Sequence, residues 1–262
     1  MATLNGKSVL ITGGGSGIGR GVAQHFVQRG AKVVITGRRE AKLQETCNAI
    51  SGDITYFTGD VTDDEHRKAM IEKAVVYGGK LDALISNAGN MYRCDVAEFE
   101  EQKLIEVFHS NVIGGMMLVK EAFEHLKESK GCVVFVGSVH TQRAFPNASP
   151  YAATKGALEA LTGVLAAELG KDKIRVGCVR PGGVPTEINV RAGLSSQEES
   201  DKRLADMGNL HALGRPGTSA EVAEAFEYLV NANWATGNVL TIDGLSLIHI
   251  SEPTRLLSSS YA

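Results

Sequence analysis

Short apolar runs rich in β-branched residues recur along the chain, and within them apolar and polar positions do not alternate. These runs are SVLIT (8–12), KVVIT (32–36), ITYFT (54–58), DALIS (82–86), CVVFV (132–136), IRVGCV (174–179) and NVLTI (238–242). Continuous apolar runs of this length are typical of strands that are buried on both faces, as in a parallel sheet. We therefore predict seven strands.

Helical patterns lie between the strands. They cover residues 17–29, about 98–127 and about 150–169, and two further helices begin at the capping boxes Thr62 with Glu65 and Thr218 with Glu221. In a capping box, the first residue and the fourth satisfy each other's free backbone N–H groups at the helix start. Strands that alternate with helices predict an α/β domain: a doubly wound parallel sheet with helices on both faces.

No linker-like stretch divides this pattern, so we predict a single domain over residues 1–244. In such folds, ligands bind beyond the carboxyl ends of the strands. The segment 183–213 is too long for a simple connection between two elements. We therefore predict that it forms a mobile substrate lid of short helices. Its apolar residues are Val190, Leu194, Leu204, Met207 and Leu210.

The last eighteen residues depart from the pattern. The stretch LSLIHISEPTRLLSSSYA (245–262) has neither a helical nor a strand period, and it is typical of translated vector sequence. We exclude it from the fold as a non-native or disordered tail. A natural flexible C-terminus is the alternative.

Composition narrows the functional classes. A net charge of −3 gives no indication of broad nucleic-acid or anionic-membrane binding. No signal peptide and no apolar run of membrane-spanning length is seen, so we expect a cytoplasmic protein. The cysteines are far apart, which indicates reduced thiols rather than a metal site: Cys47, Cys94, Cys132 and Cys178.

A cluster of glycines separates the first strand from the first helix, in LITGGGSGIGR. Gly13, Gly17 and Gly19 have the spacing of a turn that brings the backbone close to a phosphate, where side chains would block the approach. The following helix N-terminus offers free N–H groups and partial positive charge. This combination predicts a dinucleotide site, although a glycine loop alone could be only a flexible turn.

The second strand ends in VVITGRRE, where sites for the unphosphorylated cofactor usually carry an acidic residue. Arg38 and Arg39 stand there instead. An arginine can bind a 2′-phosphate through charge-assisted hydrogen bonds, and no carboxylate repels it. We therefore expect NADP(H) rather than NAD, although one of the two arginines could be merely solvated.

The stretch SPYAATKGALEAL predicts a helix with Ser149 as N-cap and Pro150 at the first helical position. Tyr151 and Lys155 then share one face, four residues apart. A cation favours the ionised phenol, so the pair could form a tuned proton donor. The residues alone leave open an ordinary surface contact or a place at the edge of the core.

Four motifs in order carry a resemblance: TGxxxGxG (12–19), NAG (87–89), GSV with Ser138, and Tyr151-x-x-x-Lys155. Together they resemble the classical short-chain dehydrogenase/reductase family over residues 5 to about 244. The resemblance implies a Rossmann fold and hydride transfer between NADP(H) and a secondary alcohol or ketone. It also implies a homotetramer or homodimer.

Site residues follow from the same resemblance. The implied catalytic residues are Asn111, Ser138, Tyr151 and Lys155. The cofactor-binding set is Thr12, Gly13, Gly15, Ser16, Gly17, Ile18, Gly19, Arg38, Arg39, Asp60, Val61, Asn87, Ala88, Gly89, Tyr151, Lys155, Pro181, Gly182, Val184 and Thr186. The seven histidines have no paired ligand spacing, so no metal site is expected.

The roles implied by the family centre on proton transfer. Tyr151 would be the acid/base, with Lys155 lowering its pKa and binding the nicotinamide ribose. Ser138 would stabilise charge on the substrate oxygen, and Asn111 would support a water chain. We expect His140 to be an ordinary loop histidine rather than a substrate contact. One departure is Asp243-Gly244-Leu245, where the family commonly has a double glycine.

Two short segments bear on the substrate. The segments SVH and PTEINV are similar to sugar (glucose 1-) dehydrogenases of the family, while hydroxysteroid dehydrogenases and 3-oxoacyl carrier-protein reductases share nearly the same frame. An inactive dinucleotide-binding regulator or scaffold is the alternative from another class. The intact set of four catalytic residues argues against it.

Overall fold

The computed structural model describes residues 4–196, 198–199, 202, 206, 208 and 211–246. The strands are β1 Ser8–Thr12, β2 Lys32–Gly37, β3 Ile54–Thr58, β4 Ala83–Ser86, β5 Cys132–Val136, β6 Arg175–Pro181 and β7 Asn238–Ile242. The helices named here are α1 Gly17–Gln28, α2 Glu40–Ala49, α3 Asp64–Gly78, α4 Glu101–Phe108, α5 Gly114–Ser129, α6 Ser149–Leu169, α7 Ile188–Arg191 and α8 Ser219–Asn231.

All seven strands pair in parallel in one sheet, in the order β3-β2-β1-β4-β5-β6-β7. The chain builds outward from β1 to β3, crosses back to β4 and then builds outward in the opposite direction. This order confirms the predicted Rossmann-type fold. It places the topological switch point between β1 and β4, where such folds bind ligands.

Two hydrophobic clusters cover the two faces of the sheet. Val9 and Ile11 of β1 point into the cluster that contains α1 and α8, whereas Leu10 points into the cluster of α3, α5 and α6. Because a strand's side chains alternate between faces, an interior strand needs apolar residues at every position. This requirement explains the continuous apolar runs of β1, β4 and β5, which are buried throughout.

The two outer strands differ from this prediction. The side chains of β3 and β7 are mostly half-buried, because each strand pairs with a neighbour on one side only. Their sequences still contain the apolar residues that face helices. The prediction of burial on both faces therefore holds for the interior of the sheet and is wrong for its edges.

Two of the predicted helix starts are also wrong. Asp63, not Thr62, is the N-cap of α3, and its carboxylate accepts a hydrogen bond from the backbone N–H of His66. In α6, Ser149 is already helical and Ala148 is the N-cap, so Pro150 occupies the second position. Proline tolerates either place, because the first turn of a helix needs no N–H donor.

The third predicted start is confirmed. Thr218 Oγ1 accepts a hydrogen bond from the backbone N–H of Glu221 at 3.2 Å, and the Glu221 carboxylate accepts from the Thr218 N–H at 2.9 Å. This capping box fixes the beginning of α8, whose apolar face packs on α1 and β6.

The long helix predicted at about 98–127 is interrupted. A five-residue π-helical turn, His109–Ile113, joins α4 to α5. Such turns widen a helix by one residue and occur frequently at functional sites. Asn111 lies in the middle of this turn and is buried.

Part of the predicted lid is described. Residues Ile188–Arg191 form α7, and Val190 and Leu194 lie within this part; Leu204, Met207 and Leu210 lie outside the described residues. Leu245 and Ser246 belong to the predicted tail, and Ser246 forms an antiparallel bridge with His211. Residues 247–262 lie outside the described residues, so the tail stays a prediction.

No helix among the described residues is long and apolar enough to cross a membrane.

Two helical glycines should respond to alanine in opposite ways. A Cβ at exposed Gly163 of α6 meets no atom within 4 Å, so Gly163→Ala should stabilise the fold by about 0.5–1 kcal/mol. A Cβ at buried Gly115 of α5 would lie 2.8 Å from Ser86 Oγ, so Gly115→Ala should destabilise it by about 1–3 kcal/mol. Urea denaturation at equal protein concentration measures both, and equal effects would contradict this packing of α5 on β4.

Candidate active site

The glycine turn between β1 and α1 leaves no room for side chains. Gly13 has φ +68° and Gly17 has φ +53°, a left-handed conformation that favours glycine. A Cβ at Gly13 would lie 2.9 Å from Asn87 Nδ2, and one at Gly19 would lie 2.4 Å from the Gly13 carbonyl oxygen. Gly19 therefore serves the packing of the turn, and Gly13 and Gly17 line the cleft above it.

The N-terminus of α1 is suited to an anion. Ser16 is the N-cap, yet its side chain makes no capping hydrogen bond, and the first turn carries no acidic residue. Ser16 Oγ accepts a hydrogen bond from Arg39 Nη2 at 3.1 Å instead. Free backbone N–H groups, the positive end of the helix dipole and a guanidinium thus converge at one place, which fits a dinucleotide pyrophosphate.

Thr12 joins the ends of β1 and β4 across the switch point. Its buried hydroxyl accepts hydrogen bonds from the backbone N–H groups of Asn87 (3.0 Å) and Ala88 (2.9 Å). Asn87 Nδ2 donates in return to the carbonyl oxygens of Thr12 (2.8 Å) and Gly13 (3.2 Å). Thr12 does not line the cleft; it holds the residues that do.

A cleft of about 500 Å³ runs along the carboxyl ends of the strands, from β2 and β3 to β5 and β6. The predicted site residues that line it are Gly13, Ser16, Gly17, Ile18, Arg38, Asp60, Val61, Asn87, Ala88, Gly89, Ser138, Tyr151, Lys155, Pro181, Gly182, Val184 and Thr186. Thr12, Gly15, Gly19, Arg39 and Asn111 are not among the residues that line it. Gly15 packs on α2, where a Cβ would lie 3.2 Å from Lys42 Cβ.

The arginines after β2 both have acidic partners. Arg38 Nη1 lies 3.7 Å from an Asp60 carboxylate oxygen, and Arg39 Nη2 lies 3.0 Å from Glu187 Oε2. The end of β2 itself carries no acidic residue, as the sequence indicated, but the fold brings two carboxylates beside these arginines. Glu187 follows β6, about 150 residues later in the chain, so no local pattern could place it beside Arg39.

Arg191 of α7 is a cleft residue that the sequence did not reveal. Its Nη2 donates to the Gly89 carbonyl oxygen at 3.3 Å, and it lines the cleft. Burial, followed by the neighbouring Arg39 guanidinium, lowers its pKa. In the sequence it is one charge among several in a long connection, and only the fold brings it to the site.

The segment after β6 folds over the glycine turn. The backbone N–H of Gly182 donates to the Ile242 carbonyl oxygen at 2.9 Å, and a Cβ there would lie 2.7 Å from Asp243 Cα. Thr186 reaches the glycine turn itself, 3.1 Å from where a Cβ of Gly17 would be. This placement explains why the segment requires glycine and why it closes one side of the cleft.

Ser138, Tyr151 and Lys155 meet at the inner end of the cleft. Ser138 follows β5 in an extended conformation, and all three side chains are buried. Lys155 Nζ donates to the Val136 carbonyl oxygen at 2.8 Å and lies 5.5 Å from the centre of the Tyr151 ring. The Ser138 hydroxyl acts to lower the pKa of Tyr151.

Burial dominates the acidity of this group. It raises the pKa of Tyr151 to about 12, and the Ser138 hydroxyl acts in the opposite direction. It lowers the pKa of Lys155 to about 8, opposed by Cys178 and Glu159. In the protein alone the net shift of the Tyr151 pKa is upward, because desolvation of the phenolate dominates; the part that Lys155 contributes stays a prediction.

Asn111 supports the site from behind. Its Nδ2 donates to the Asn90 carbonyl oxygen (2.9 Å) and to Thr154 Oγ1 (3.1 Å), and its Oδ1 accepts from the Asn90 N–H (2.7 Å). It thus connects α6, beside Lys155, to the segment after β4. The π-helical turn aims this amide inward, and Thr154 is a further residue that the sequence analysis missed.

His140 is not the ordinary loop histidine that we expected. It lies on a short 3₁₀ turn, Val139–Thr141, directly after Ser138, and its Nδ1 lies 3.0 Å from Ser138 Oγ. Its ring stacks on Phe145, with centroids 4.3 Å apart. It packs edge-on against the Tyr151 ring, with centroids 5.2 Å apart and the ring planes at 86°. It also lines the cleft.

A shielded ion pair braces the same turn. Arg180 donates to both carboxylate oxygens of Glu159, at 2.9 and 2.7 Å, and Thr141 Oγ1 donates to Glu159 Oε1 at 2.8 Å. Sequence signals existed for both charges: Arg180 interrupts the apolar run of β6, and Glu159 follows Lys155 by one helical turn.

Known proteins share this architecture. A family model described as "short chain dehydrogenase" matches residues 7–197. An uncharacterized oxidoreductase of Methylorubrum extorquens is 33% identical over 250 residues, covering 93% of this chain and 99% of that protein. The L-fucose dehydrogenase of Bos taurus is 33% identical over 243 residues, covering 91% and 88%.

A solved structure agrees with them. A short-chain dehydrogenase/reductase of unknown function from Caenorhabditis elegans, determined with cofactor, has 29% identity and a TM-score of 0.88, covering 96% of this chain and 98% of that one. The residues matched by the family model include the glycine turn and all four predicted catalytic residues. The chain belongs to the short-chain dehydrogenase/reductase family of oxidoreductases.

Proposed function

We propose that this oxidoreductase transfers a hydride between NADP(H) and a secondary alcohol or ketone of a small molecule, with Tyr151 as the acid/base. One observation carries the proposal: Ser138, Tyr151 and Lys155 meet at the inner end of a cleft whose other part is lined by the glycine turn of α1. A dinucleotide bound along this cleft would bring its reactive end to the phenol.

The cofactor fits the residues that are present. Gly13 and Gly17 keep the turn open, and the α1 N-terminus with Ser16 and Arg39 suits a phosphate. Asp60 and Val61, which line the cleft, are the candidates for contact with the adenine, and Lys155 is the candidate for the nicotinamide ribose. When bound, NADP(H) supplies or accepts the hydride.

The protein's own residues handle the proton. In the reduction of a ketone, the Tyr151 hydroxyl donates its proton to the substrate oxygen while Ser138 donates a hydrogen bond to the same oxygen. Lys155 stands behind Tyr151 and keeps a positive charge available to the phenolate that forms. Asn111 fixes the wall next to Lys155 through Thr154.

The acidity of Tyr151 bears on the direction of reaction. With a pKa of about 12, Tyr151 is protonated at neutral pH in the protein alone and is ready to act as an acid. Alcohol oxidation instead needs the phenolate, so its rate should rise as the pH is raised. The positive charges of Lys155 and of an oxidised nicotinamide favour that phenolate.

The preference for NADP(H) rests on Arg38 and Arg39. Glu187 neutralises Arg39 in this structure, so a 2′-phosphate would have to replace the carboxylate as the partner of that guanidinium. Such exposed ion pairs contribute only about 0–1 kcal/mol, so exchanging the Glu187 carboxylate for a phosphate costs little free energy.

The proposal extends to the substrate class, the compartment and the assembly of the protein. A sugar, a hydroxysteroid or a 3-oxoacyl thioester are the substrate classes that we propose, and the relative named L-fucose dehydrogenase supports the first. We propose a cytoplasmic homotetramer or homodimer. A catalytically inactive regulator is the second candidate, and lack of turnover on a broad panel of alcohols and carbonyls would favour it.

Replacing Tyr151 with Phe tests the acid/base role. Tyr151→Phe removes the proton donor but keeps the ring against His140, so turnover should fall by at least about a thousandfold. The dissociation constant of NADPH, measured by fluorescence, should stay within about twofold. Retained turnover would contradict the assignment.

Lys155 gives a prediction about stability and pH. Its pKa is lowered from 10.5 to about 8 by burial, so the folded protein loses a proton that the unfolded chain keeps between these values. The free energy of unfolding should therefore rise between pH 7 and 10, by roughly 2–3 kcal/mol relative to Lys155→Met. Parallel pH curves of urea denaturation for the two proteins would contradict this burial.

Two substitutions test the arginine argument. Arg39→Ala should weaken NADPH binding by about tenfold and leave NADH binding nearly unchanged, because only NADPH has the 2′-phosphate. Glu187→Gln should tighten NADPH binding, since it frees Arg39 without removing the side chain. Fluorescence titration measures both, and equal or tighter binding of NADH by the unaltered protein would refute the preference.

A further inference from the structure

The hydroxyl of Ser138 has more neighbours than its single proton can serve. Its Oγ lies 3.0 Å from His140 Nδ1 and accepts a hydrogen bond from the His140 backbone N–H at 3.3 Å, and the same hydroxyl acts to lower the pKa of Tyr151. A serine hydroxyl has one donor proton and two acceptor lone pairs. His140 thus occupies two of these three positions and leaves one for Tyr151 or a substrate oxygen.

The backbone N–H of His140 can only donate, so it occupies one lone pair of Ser138. The remaining lone pair and the proton are shared between His140 Nδ1 and Tyr151. If Nδ1 is bare, it takes the serine proton, and Ser138 then has no proton for Tyr151 or for a substrate oxygen. If Nδ1 carries a proton, it donates to the second lone pair and leaves the serine proton for the cleft.

We propose that His140 is a positioning residue for this oxidoreductase: its Nδ1–H donates to Ser138 Oγ and thereby directs the serine proton towards Tyr151 and the substrate oxygen. The inference rests on the proposed function, because it explains how the Ser138 hydroxyl proton is oriented for that reaction. It assigns to His140 a role that acts through Ser138.

The surroundings hold the ring in place for this role. Phe145 stacks on one face at 4.3 Å and Tyr151 packs at 5.2 Å, so the ring has little freedom to turn away from Ser138. The turn that carries His140 is held by Thr141, whose hydroxyl shares its one proton between the Ser138 carbonyl oxygen and the Glu159 carboxylate, each at 2.8 Å. The geometry therefore depends on a rigid scaffold rather than on a loop.

Charged and titratable groups reach this region from several elements. They include Tyr151, Lys155 and Glu159 of α6, Arg180 of β6, Arg143 stacked over Phe145 at 4.2 Å, and Arg93, Glu106 and His109, which line the same cleft. The cations among them do not prevent His140 Nδ1 from carrying a proton, because that proton is accepted directly by a lone pair of Ser138 Oγ.

Nitrogen NMR tests the inference without any turnover. In protein labelled with ¹⁵N-histidine, the signal lost in His140→Asn identifies His140. Its Nδ1 should have the chemical shift of a protonated nitrogen at neutral pH, and Ser138→Ala should move that shift. A shift typical of a bare Nδ1, or one that Ser138→Ala leaves unchanged, would overturn the proposal.

Kinetics test how the effect is transmitted. His140→Phe keeps an aromatic ring against Phe145 but removes the nitrogen, so kcat should fall by about tenfold to a hundredfold with KM and cofactor affinity within about twofold. His140→Asn places an amide N–H near the same position and should recover most of kcat. In a Ser138→Ala background, His140→Phe should cause no further loss, because the partner is already absent.

A matched control is His125→Phe. His125 lies on α5, away from the cleft, and its replacement should leave kcat and its pH profile unchanged. Full activity of His140→Phe, or a loss in the Ser138→Ala background as large as in the unaltered protein, would refute the role. Absence of turnover in the unaltered protein would instead count against the proposed function, and the NMR result would still decide about His140.

Discussion

The site depends on one hydroxyl group at the centre of the sheet. Two parallel strands that lie side by side but are followed by connections in opposite directions leave a gap at their carboxyl ends. Thr12 closes the base of that gap by accepting two backbone N–H groups from the segment after β4. Because this threonine is buried, those N–H groups would lack a hydrogen-bond partner without it, which would cost free energy of folding. The floor of the cleft is therefore set by the sheet and not by a loop.

The sequence predicted the sheet well because the relevant forces are local and repeated. An interior strand must be apolar at every position, and the runs that begin at Ser8, Ile54, Cys132 and Asn238 coincide with observed strands. Helix starts were less reliable, as Asp63 and Ala148 show, because neighbouring polar residues compete for one cap and tertiary packing chooses between them.

The motif residues were also found from the sequence, but their environments were not. Tyr151 and Lys155 are four residues apart in any helix, whereas their burial depends on how α6 lies across β5 and β6. That burial reverses the expected shift of the Tyr151 pKa. Glu187 and Arg191 reach the cleft only because the segment after β6 folds back over the glycine turn. Such contacts connect distant parts of the chain, and no short pattern encodes them.

The π-helical turn at His109–Ile113 has a consequence for the register of the chain. One extra residue in a helix rotates everything that precedes it by about 100° relative to everything that follows. Upstream of the turn, α4 can therefore present a different face from α5, while Asn111 at the bend points inward. A deletion of one residue here would restore an even helix and carry the amide out of reach of Thr154. The spacing of this segment is thus as constrained as its composition, and insertions or deletions should be tolerated less there than substitutions.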